Sequence, residues 1–561
     1  MKTTLKLFLA SLTLTSSLYF ADYAQAQQVP TSAEPSRVIQ QPEVDRMPSR
    51  LQDIISLPEA QTDANKASDK KIFTLQAVVL DGSSVYSPGE VTELFKGMIG
   101  QSVSFADLVN MSRQMTVQYR EDGYMFSRAI LPPQKINGGV VHLQAVEGRV
   151  TGVQVVGDFK DENGLIQAYA NKIRSEGPAN QAQVERYLLL IDDLPGISAR
   201  SVMKPSDVPG GGDLIIEVKQ DPFEGSASID NRGSRYLGPF RGTLVGAFNS
   251  LFGIHDRTTV RGILTSQTKE LRYGDITHEE QIGTEGTRLS GRIALTRTNV
   301  GGNLKSLDID GDSELYELNL LHPLIRGRQA NLNLLGGFGA LDSRTDIGNT
   351  PNTEDRVRYA WGGGRYDFTD TLRGVTQIEG RLTQGLDIFN ATDDGAGRSR
   401  TNGDHTFTRA NLNIIRVQEL WGNFSAMGSV GGQYSWDPLL VSQEFAIGAG
   451  PFGRAYDAGE ISGDHGAAGV VELRYGEPLE DNSFIQSYEF YGFYDIGKVW
   501  NKSPAAGENA NDSLASAGVG VRFNLLNDFS GYVEVDSPLT RSVTSEGDDD
   551  SRVFFSLLKR F

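Results

Sequence analysis

The sequence predicts two small α+β domains followed by an all-β transmembrane barrel of about 16 antiparallel strands. Three observations carry this prediction. The chain begins with an export segment. Two units in residues 71–220 then repeat the order β-α-α-β-β. Finally, residues 221–561 alternate apolar and polar positions in segments of about ten residues, the pattern of membrane-spanning strands.

The composition excludes several classes of function. The 561 residues contain no cysteine, which excludes disulfide frameworks, thiol catalysis and cysteine zinc sites. Lys and Arg number 53 against 71 Asp and Glu, giving a formal net charge of −18, so we expect no nucleic-acid partner. A hydrophobic content of 39% is low for a helical membrane protein but permits a barrel, whose strands are apolar on one face only.

Residues 1–26 read as a cleaved signal peptide. Lys2 and Lys6 precede the apolar stretch Leu7 to Phe20, and Ala24-Gln25-Ala26 has the small-x-small pattern of a cleavage site. The alternative is an N-terminal anchor, but this stretch is too short to span a hydrocarbon core of ~30 Å. We therefore expect an exported protein that is periplasmic, secreted or an outer-membrane barrel.

Residues 27–70 are polar and rich in proline, which predicts an extended tether. One short helix fits near Leu51, Ile54 and Ile55, which share a helical face. A disordered linker is the alternative for this segment.

Residues 71–149 form the first α+β unit. Phe73 to Leu80 reads as a strand, Ser87-Pro88 opens one helix, and Ser104 with Asp107 opens a second that Gly123 ends. Strands follow at Tyr124 to Leu131 and Val140 to Val146.

Residues 150–220 repeat the order. A strand at Val153 to Val156 precedes a helix at Gly164 to Ile173. Asn180 caps a second helix, and strands at Ile197 to Val202 and Leu214 to Val218 close the unit. The absence of a linker between the two units predicts stacked modules with a fixed relative pose.

Sixteen alternating segments are readable in residues 221–561. They are Gly225–Asn231, Thr243–Phe248, Thr259–Thr265, Arg272–His278, Leu289–Thr296, Leu315–Leu321, Leu332–Phe338, Tyr359–Phe368, Gln377–Leu386, Phe407–Val417, Phe424–Trp436, Ala467–Tyr475, Tyr488–Val499, Ala515–Phe523, Gly531–Val535 and Val553–Phe561. A soluble β array or propeller is disfavoured because no blade-length repeat appears. The chain also ends on an alternating strand with a terminal aromatic, Phe561, the usual ending of outer-membrane barrels.

A search for chemistry finds no catalytic, cofactor or metal site. No G-x-S-x-G, H-E-x-x-H or Walker A sequence occurs. The G-x-G-x-x-G match at Gly448 to Gly453 contains proline and opens no helix, and the six histidines lack ligand spacing. Asp308, Asp310 and Asp312 have the spacing of the first three ligands of a calcium-binding loop. The Gly and Glu that such a loop needs are missing, so a solvated turn is favoured. The sequence does not read as an enzyme.

Several motifs resemble the two-partner-secretion transporters, the TpsB family of hemolysin secretion/activation proteins. In residues 71–149 the resemblance to a first POTRA domain rests on Tyr119, Arg120, Gly123, Tyr124, Pro132, Pro133, Gln134 and the run Glu147-Gly148-Arg149. Residues 185–196 resemble the second POTRA domain. Asp230 to Ser234 resembles the first barrel strand of the family.

Two further motifs resemble the family's barrel signature. Gly453, Arg454 and Tyr456 resemble the tip of its long sixth extracellular loop, although a Gly precedes the Arg and Ala455 follows it. Phe493, Asp495 and Gly497 match the F-x-D-x-G of its thirteenth strand. The resemblance implies a lock between the two motifs, and we predict a bidentate ion pair between Arg454 and Asp495.

The resemblance also implies a function and a location. The barrel is expected in the Gram-negative outer membrane, in contact with its lipid and acting as a monomer, with the POTRA domains in the periplasm. The partner is expected to be a secreted TpsA-type passenger, moved without ATP, and the long segment from Trp436 to Gly466 is expected to close the lumen at rest. The alternatives are a barrel assembly factor, which usually carries more POTRA domains, and a plain porin.

Overall fold

The computed structural model describes residues 29–39, 55–56, 68–208, 210–392, 397–479, 484–504 and 507–561. The expected signal peptide, residues 1–26, lies outside the described residues. Within the described part of the chain, no helix has both the length and the apolar content needed to cross a bilayer.

Among the described residues ahead of the modules lie helix α1 (Pro35–Ile39) and strand β1 (Ile55–Ser56). The prediction of a helix near Leu51 to Ile55 is wrong at Ile55, which lies in β1; residues 51–54 fall outside the described residues. The helix forms at Pro35 instead, because proline in the first turn loses no backbone hydrogen bond and has a φ suited to a helix.

The first module contains two helices between short strands. In chain order they are β2 (Lys71–Thr74), β3 (Ala77–Asp81), α2 (Pro88–Phe95), β4 (Ser102–Ser104), α3 (Phe105–Glu121), β5 (Arg128–Ile130) and β6 (Val140–Val146). Ser104 forms the predicted capping box with Asp107, and Ser87, predicted as an N-cap before Pro88, forms one with Glu90. The single predicted strand from Phe73 to Leu80 is split, because Leu75 turns into the core and bonds through its backbone to Gly100 and Gln101.

The second module continues from the first without a gap. It comprises β7 (Arg149–Asp158), α4 (Leu165–Ile173), α5 (Gln181–Asp192), β8 (Ile197–Pro205) and β9 (Gly211–Gln220). The sheet order is β1-β8-β9-β7. Ile55 and Ser56 of β1 pair in parallel with Ser201 and Val202 of β8, so the tether covers part of this edge.

The remaining strands close into a barrel of sixteen. They are β10 (Phe223–Asp230), β11 (Arg241–Asn249), β12 (Arg257–Thr265), β13 (Leu271–Ile282), β14 (Thr287–Asn299), β15 (Ile309–Arg326), β16 (Ala330–Ile347), β17 (Thr350–Thr369), β18 (Gly374–Gly385), β19 (Thr408–Glu419), β20 (Phe424–Ser435), β23 (His465–Pro478), β24 (Ile485–Trp500), β25 (Asn511–Leu525), β26 (Phe529–Pro538) and β27 (Arg552–Arg560). Strands β21 (Phe445–Ile447) and β22 (Ile461–Gly463) pair separately within the β20–β23 connection. Each of the sixteen predicted segments overlaps one barrel strand, and the predicted fold class is confirmed.

Alternation along the strands separates lipid from lumen. On β23, Val471 and Leu473 are exposed on the outer wall, whereas Glu472 and Arg474, which alternate with them, are buried inside. The ring closes where β10 pairs with β27, from Ser226 with Arg560 to Asp230 with Ser556. Closure leaves no unpaired strand edge in the membrane, where backbone groups have no water to bond.

The α1 segment lies inside the barrel. Ala33 and Val38 join a buried cluster with Phe407, Leu439 and Leu440. Nearby, Arg37 pairs with the Glu444 carboxylate at 3.2 Å and donates to its carbonyl oxygen at 2.8 Å. This helix therefore plugs part of the lumen and contacts the long β20–β23 connection.

The closed strand ladder predicts a heat-modifiable protein. The barrel opens only if the backbone hydrogen bonds of neighbouring strands break together, so an unheated sample in mild detergent keeps a compact form. Unheated and boiled samples should migrate differently on a detergent gel. Identical migration, with the protein recovered in the aqueous fraction, would contradict the barrel.

Candidate functional site

The connection between β20 and β23 folds back into the lumen. Its β21–β22 hairpin leads to a tight turn, in which Ala449 donates its backbone N–H to the carbonyl of Gly453. Gly453 has a φ of +77°, which favours glycine, and a side chain there would press on Leu514. Ala455 and Tyr456 at the tip are fully buried. The segment expected to close the lumen thus lies inside the barrel.

Arg454 at this tip reaches a carboxylate on the barrel wall. Its Nη1 lies 2.6 Å from Oε2 of Glu472 and 3.7 Å from Oε2 of Glu534. The guanidinium lies 4.3 Å from the centre of the Phe493 ring, within cation–π range. Because Glu472 and Phe493 face each other across β23 and β24, one cross-strand pair provides both contacts.

Asp495 meets Arg454 in a different way from the predicted ion pair. Its carboxylate accepts the backbone N–H of Arg454 at 3.2 Å and the hydroxyl of Ser516 at 2.6 Å. The two sequence motifs do come together, but the predicted bidentate side-chain pair is wrong. Backbone and hydroxyl donors already hold the short Asp495 side chain, and the guanidinium extends past it to Glu472.

Glu472 is the centre of the site, and sequence reasoning missed it. Its side chain is fully buried, and it pairs with Arg454, with Nε of Arg474 at 2.6 Å and with Nη1 of Arg522 at 2.9 Å. Three guanidiniums around one carboxylate compensate the cost of removing it from water. The sequence does carry a signal for Glu472: it and Arg474 alternate with apolar residues, which places both charges on the luminal face of the strand.

Arginines from both ends of the barrel sequence hold the backbone of the tip. Arg232, after β10, donates to the carbonyl of Arg454 at 2.6 Å, and its guanidinium also pairs with Glu534. Arg552, at the start of β27, donates to the carbonyl of Ala455 at 2.9 Å. The loop tip is therefore fastened beside the seam between the first and last strands.

The other motif residues shape this contact. The hydroxyl of Tyr456 donates to the carbonyl of Ala515 at 3.1 Å. A side chain at Gly497 would collide with Ile447 of the inner hairpin, so the glycine lets the loop lie against β24. We call the contact of Gly453–Tyr456 with Glu472, Phe493 and Asp495 the loop lock.

The first-module motif lies at the junction with the second module. The hydroxyl of Tyr119 donates to Glu147 at 2.9 Å, and burial raises the pKa of this tyrosine. Gly123 has a φ of +85°, and its carbonyl accepts the backbone N–H of Gln181 in the second module at 2.8 Å. A side chain at Gly148 would collide with the carbonyl of Phe126. Of these contacts, the Gly123–Gln181 bond joins the two modules, and those of Tyr119 and Gly148 hold the first module together next to that junction.

The rest of that motif supports the β5–β6 connection. Pro132 and Pro133 lie between the strands, and the Gln134 amide bonds both the N–H and the carbonyl of His142, at 2.9 and 2.6 Å. Tyr124 packs edge-on against Tyr119. Arg120 is exposed in the last turn of α3.

The sequence matches the haemolysin secretion/activation protein family ShlB/FhaC/HecB over residues 210–523, more than half of the chain. The chain belongs to this family. Residues 73–148 match the ShlB-type POTRA domain. Members of the family are transporters, and this chain is an outer-membrane transporter of the two-partner-secretion class with its POTRA domains in the periplasm.

Individual relatives agree with this assignment. The heme/hemopexin transporter protein HuxB of Haemophilus influenzae (strain 86-028NP) is 25% identical over 489 residues, 84% of either chain. The outer membrane transporter CdiB of Dickeya dadantii (strain 3937) is 22% identical over 486 residues, 82% of either chain. The solved structure of CdiB from Escherichia coli shares the fold, with a TM-score of 0.71, 19% identity and 98% coverage of both chains.

The loop lock predicts unequal coupling between its members. Arg454→Ala and Glu472→Ala should each make the long loop more open to protease, and the double variant should deviate from additivity by about 1–3 kcal/mol because the side chains touch. Arg454→Ala with Asp495→Ala should be nearly additive, because alanine keeps the backbone N–H that Asp495 accepts. Loop cleavage rates measure both cycles.

A matched control is Arg297→Ala, which removes an exposed extracellular ion pair with Asp312 and should leave loop cleavage unchanged. Stronger coupling of Arg454 to Asp495 than to Glu472 would contradict this geometry.

The hydrogen bond between Tyr119 and Glu147 predicts a measurable contribution to the stability of the first module. Tyr119→Phe removes a donor to the Glu147 carboxylate and should destabilise the first POTRA domain by about 1.5–3 kcal/mol. Amide hydrogen exchange of that domain measures the loss. Tyr124→Phe is the control, since its hydroxyl has no hydrogen bond within the described part of the structure. Equal effects of both variants would contradict a role for the Tyr119–Glu147 bond.

Proposed function

We propose that this transporter recognises an unfolded TpsA-type exoprotein of adhesin or hemolysin class in the periplasm and moves it to the cell surface without ATP. The observation that carries the proposal is the loop lock. A loop held in the lumen by side-chain contacts can leave without breaking the strand ladder. A protein-conducting pore requires a barrel wall that stays closed and a loop that can move out of the lumen.

Recognition by the POTRA domains is proposed to use sheet edges. An extended chain adds to an exposed strand through backbone hydrogen bonds, which depend little on side chains and suit an unfolded passenger. One outer strand of each sheet is a candidate: β3 in the first module and β7 in the second. Of these, β7 is the longer, so it offers the passenger more backbone groups.

Other edges are covered in the resting structure. On β5, the N–H of Ala129 donates to Thr116 at 3.0 Å and its carbonyl accepts from Ser112 at 2.8 Å, so α3 satisfies the outward groups. On β8, the two residues of β1 occupy the edge. A passenger that pairs with β8 must displace β1, which costs few hydrogen bonds.

The barrel is proposed to work as a monomer in outer-membrane lipid. One chain closes the ring, so no second copy is needed to satisfy a strand edge. The outer wall carries exposed apolar residues such as Leu244, Val471 and Val519, which suit hydrocarbon. Family membership favours secretion over the alternative of a barrel assembly factor.

Comparing cells with and without this chain tests the function. Deleting the gene should remove one large exoprotein from the surface and culture fluid, detected by mass spectrometry, and the full chain should restore it. Unchanged surface and secreted proteins would contradict the proposal.

A chain lacking residues 71–220 should still insert as a heat-modifiable barrel but should not restore the exoprotein, because passenger recognition is assigned to the POTRA domains. The insertion assay is the control for folding. Normal secretion by this truncated chain would show that the barrel alone recognises the passenger.

A further inference from the structure

A cavity of about 650 Å³ opens inside the barrel wall at the periplasmic ends of β20 and β23–β27. All its lining residues belong to barrel strands or to the turns that join them. They are Asn423, Ser425, Gly476, Glu477, Pro478, Ser487, Tyr488, Glu489, Arg522, Phe523, Asn524, Ser530, Gly531, Tyr532, Ser556 and Leu558. Neither POTRA domain contributes to it.

The second POTRA domain contacts the opposite arc of the mouth. Arg326, at the end of β15, pairs with Asp193 of the domain through two bonds of 2.7 Å. Asp161 accepts from His255 at 2.9 Å, and Lys172 pairs with Glu285. These contacts lie at the β11–β12, β13–β14 and β15–β16 turns. The second POTRA domain thus covers one arc of the periplasmic mouth, and the cavity opens on the opposite arc.

The lining of the cavity suits a peptide backbone. Six of its side chains are small, uncharged hydrogen-bonding groups: Asn423, Ser425, Ser487, Asn524, Ser530 and Ser556. Hydroxyl and amide groups donate and accept, so they match the alternating N–H and carbonyl groups of an extended chain whatever its sequence.

The head of the cavity touches the loop lock. Arg522 pairs with Glu489 at 2.6 Å, and with both oxygens of Glu472 at 2.9 and 3.1 Å. The side chains of Arg522 and Glu489 are 34% and 31% exposed, whereas that of Glu472 is fully buried. Arg522 is therefore a point where a molecule in the cavity can reach the carboxylate that holds Arg454.

We propose that this cavity is the entrance site for an extended, polar segment of polypeptide, and that Arg522 binds its carbonyl groups. This inference rests on the proposed function and adds the place where the passenger enters the lumen. Carbonyls that accept from Arg522 compete with Glu489 and Glu472 for the same N–H groups. Occupation of the cavity then weakens the support of the loop lock from below.

A disulfide-trapping experiment tests the location, helped by a chain that has no cysteine of its own. The probe is an unstructured peptide of Gly, Ser, Thr and Asn with one activated cysteine, added to the purified full chain. Ser487→Cys places a thiol in the cavity. The control, Ser290→Cys, places one on the luminal face near the periplasmic start of β14, on the covered arc. Reaction with a small thiol reagent normalises both rates.

Trapping should be at least roughly ten-fold faster for Ser487→Cys, because the peptide hydrogen-bonds the cavity wall. Equal rates, or faster trapping at Ser290→Cys, would overturn the assignment. Either result leaves the gene-deletion test of the proposed function unaffected, so failure of the entrance site is distinguishable from failure of the secretion function.

A second variant tests whether Arg522 binds the peptide. Adding Arg522→Gln to Ser487→Cys should slow trapping roughly ten-fold through the loss of charged donors. Where heat-modifiable migration shows that this variant does not fold, Arg522→Lys replaces it, and slower trapping is again expected because lysine lacks the bidentate fork. Unchanged or faster trapping in the folded variant would overturn the role of Arg522.

Discussion

A single buried carboxylate, that of Glu472, organises the closed state of this transporter. Three arginines from three different segments converge on it: Arg454 from the loop, Arg474 from its own strand and Arg522 from β25. A buried charge is stable only when an opposite charge pairs with it. The Glu472 carboxylate and the Arg454 guanidinium therefore stabilise each other in the closed state. Other features at the tip, including the Phe493 ring and the backbone contacts of Asp495, position the loop for that pair.

The barrel supplies the constraint that makes such a lock useful. Its wall must keep every strand paired, because an unpaired edge in lipid is costly. Movement is therefore confined to what lies inside the wall, namely the long loop and α1. These two obstructions meet at Glu444, which bonds Arg37 of the helix and lies in the loop. The second POTRA domain stays outside the wall, bound to the turns of one arc.

The sequence was sufficient for the architecture and for the neighbourhood of the site. The alternation of apolar and polar residues identifies each strand even where its ends are misplaced by one or two residues, so the predicted number of strands was correct. Ser104 was recognisable because a capping box joins residues three positions apart, and Ser87 because a proline follows it in the first turn of the helix.

Contacts between distant segments were less accessible from the sequence. The partner of Arg454 is chosen by side-chain length and by competition among donors, and no local pattern reports these, so Asp495 was preferred to Glu472. The helix at Pro35 was missed because five residues give too little periodicity, and its stability comes from the barrel around it.

The contacts around Glu444 allow the two obstructions of the lumen to move separately. Arg400, in the outer β18–β19 loop, is buried, lies 3.6 Å from this carboxylate and is also held by Asp464 at 2.7 Å and Glu508 at 2.7 Å. If α1 withdraws, Glu444 loses Arg37 but remains beside Arg400, which stays paired with Asp464 and Glu508. The helix can therefore leave the lumen without dismantling the ion pairs that hold the extracellular loops together, so the two obstructions need not be removed in one step.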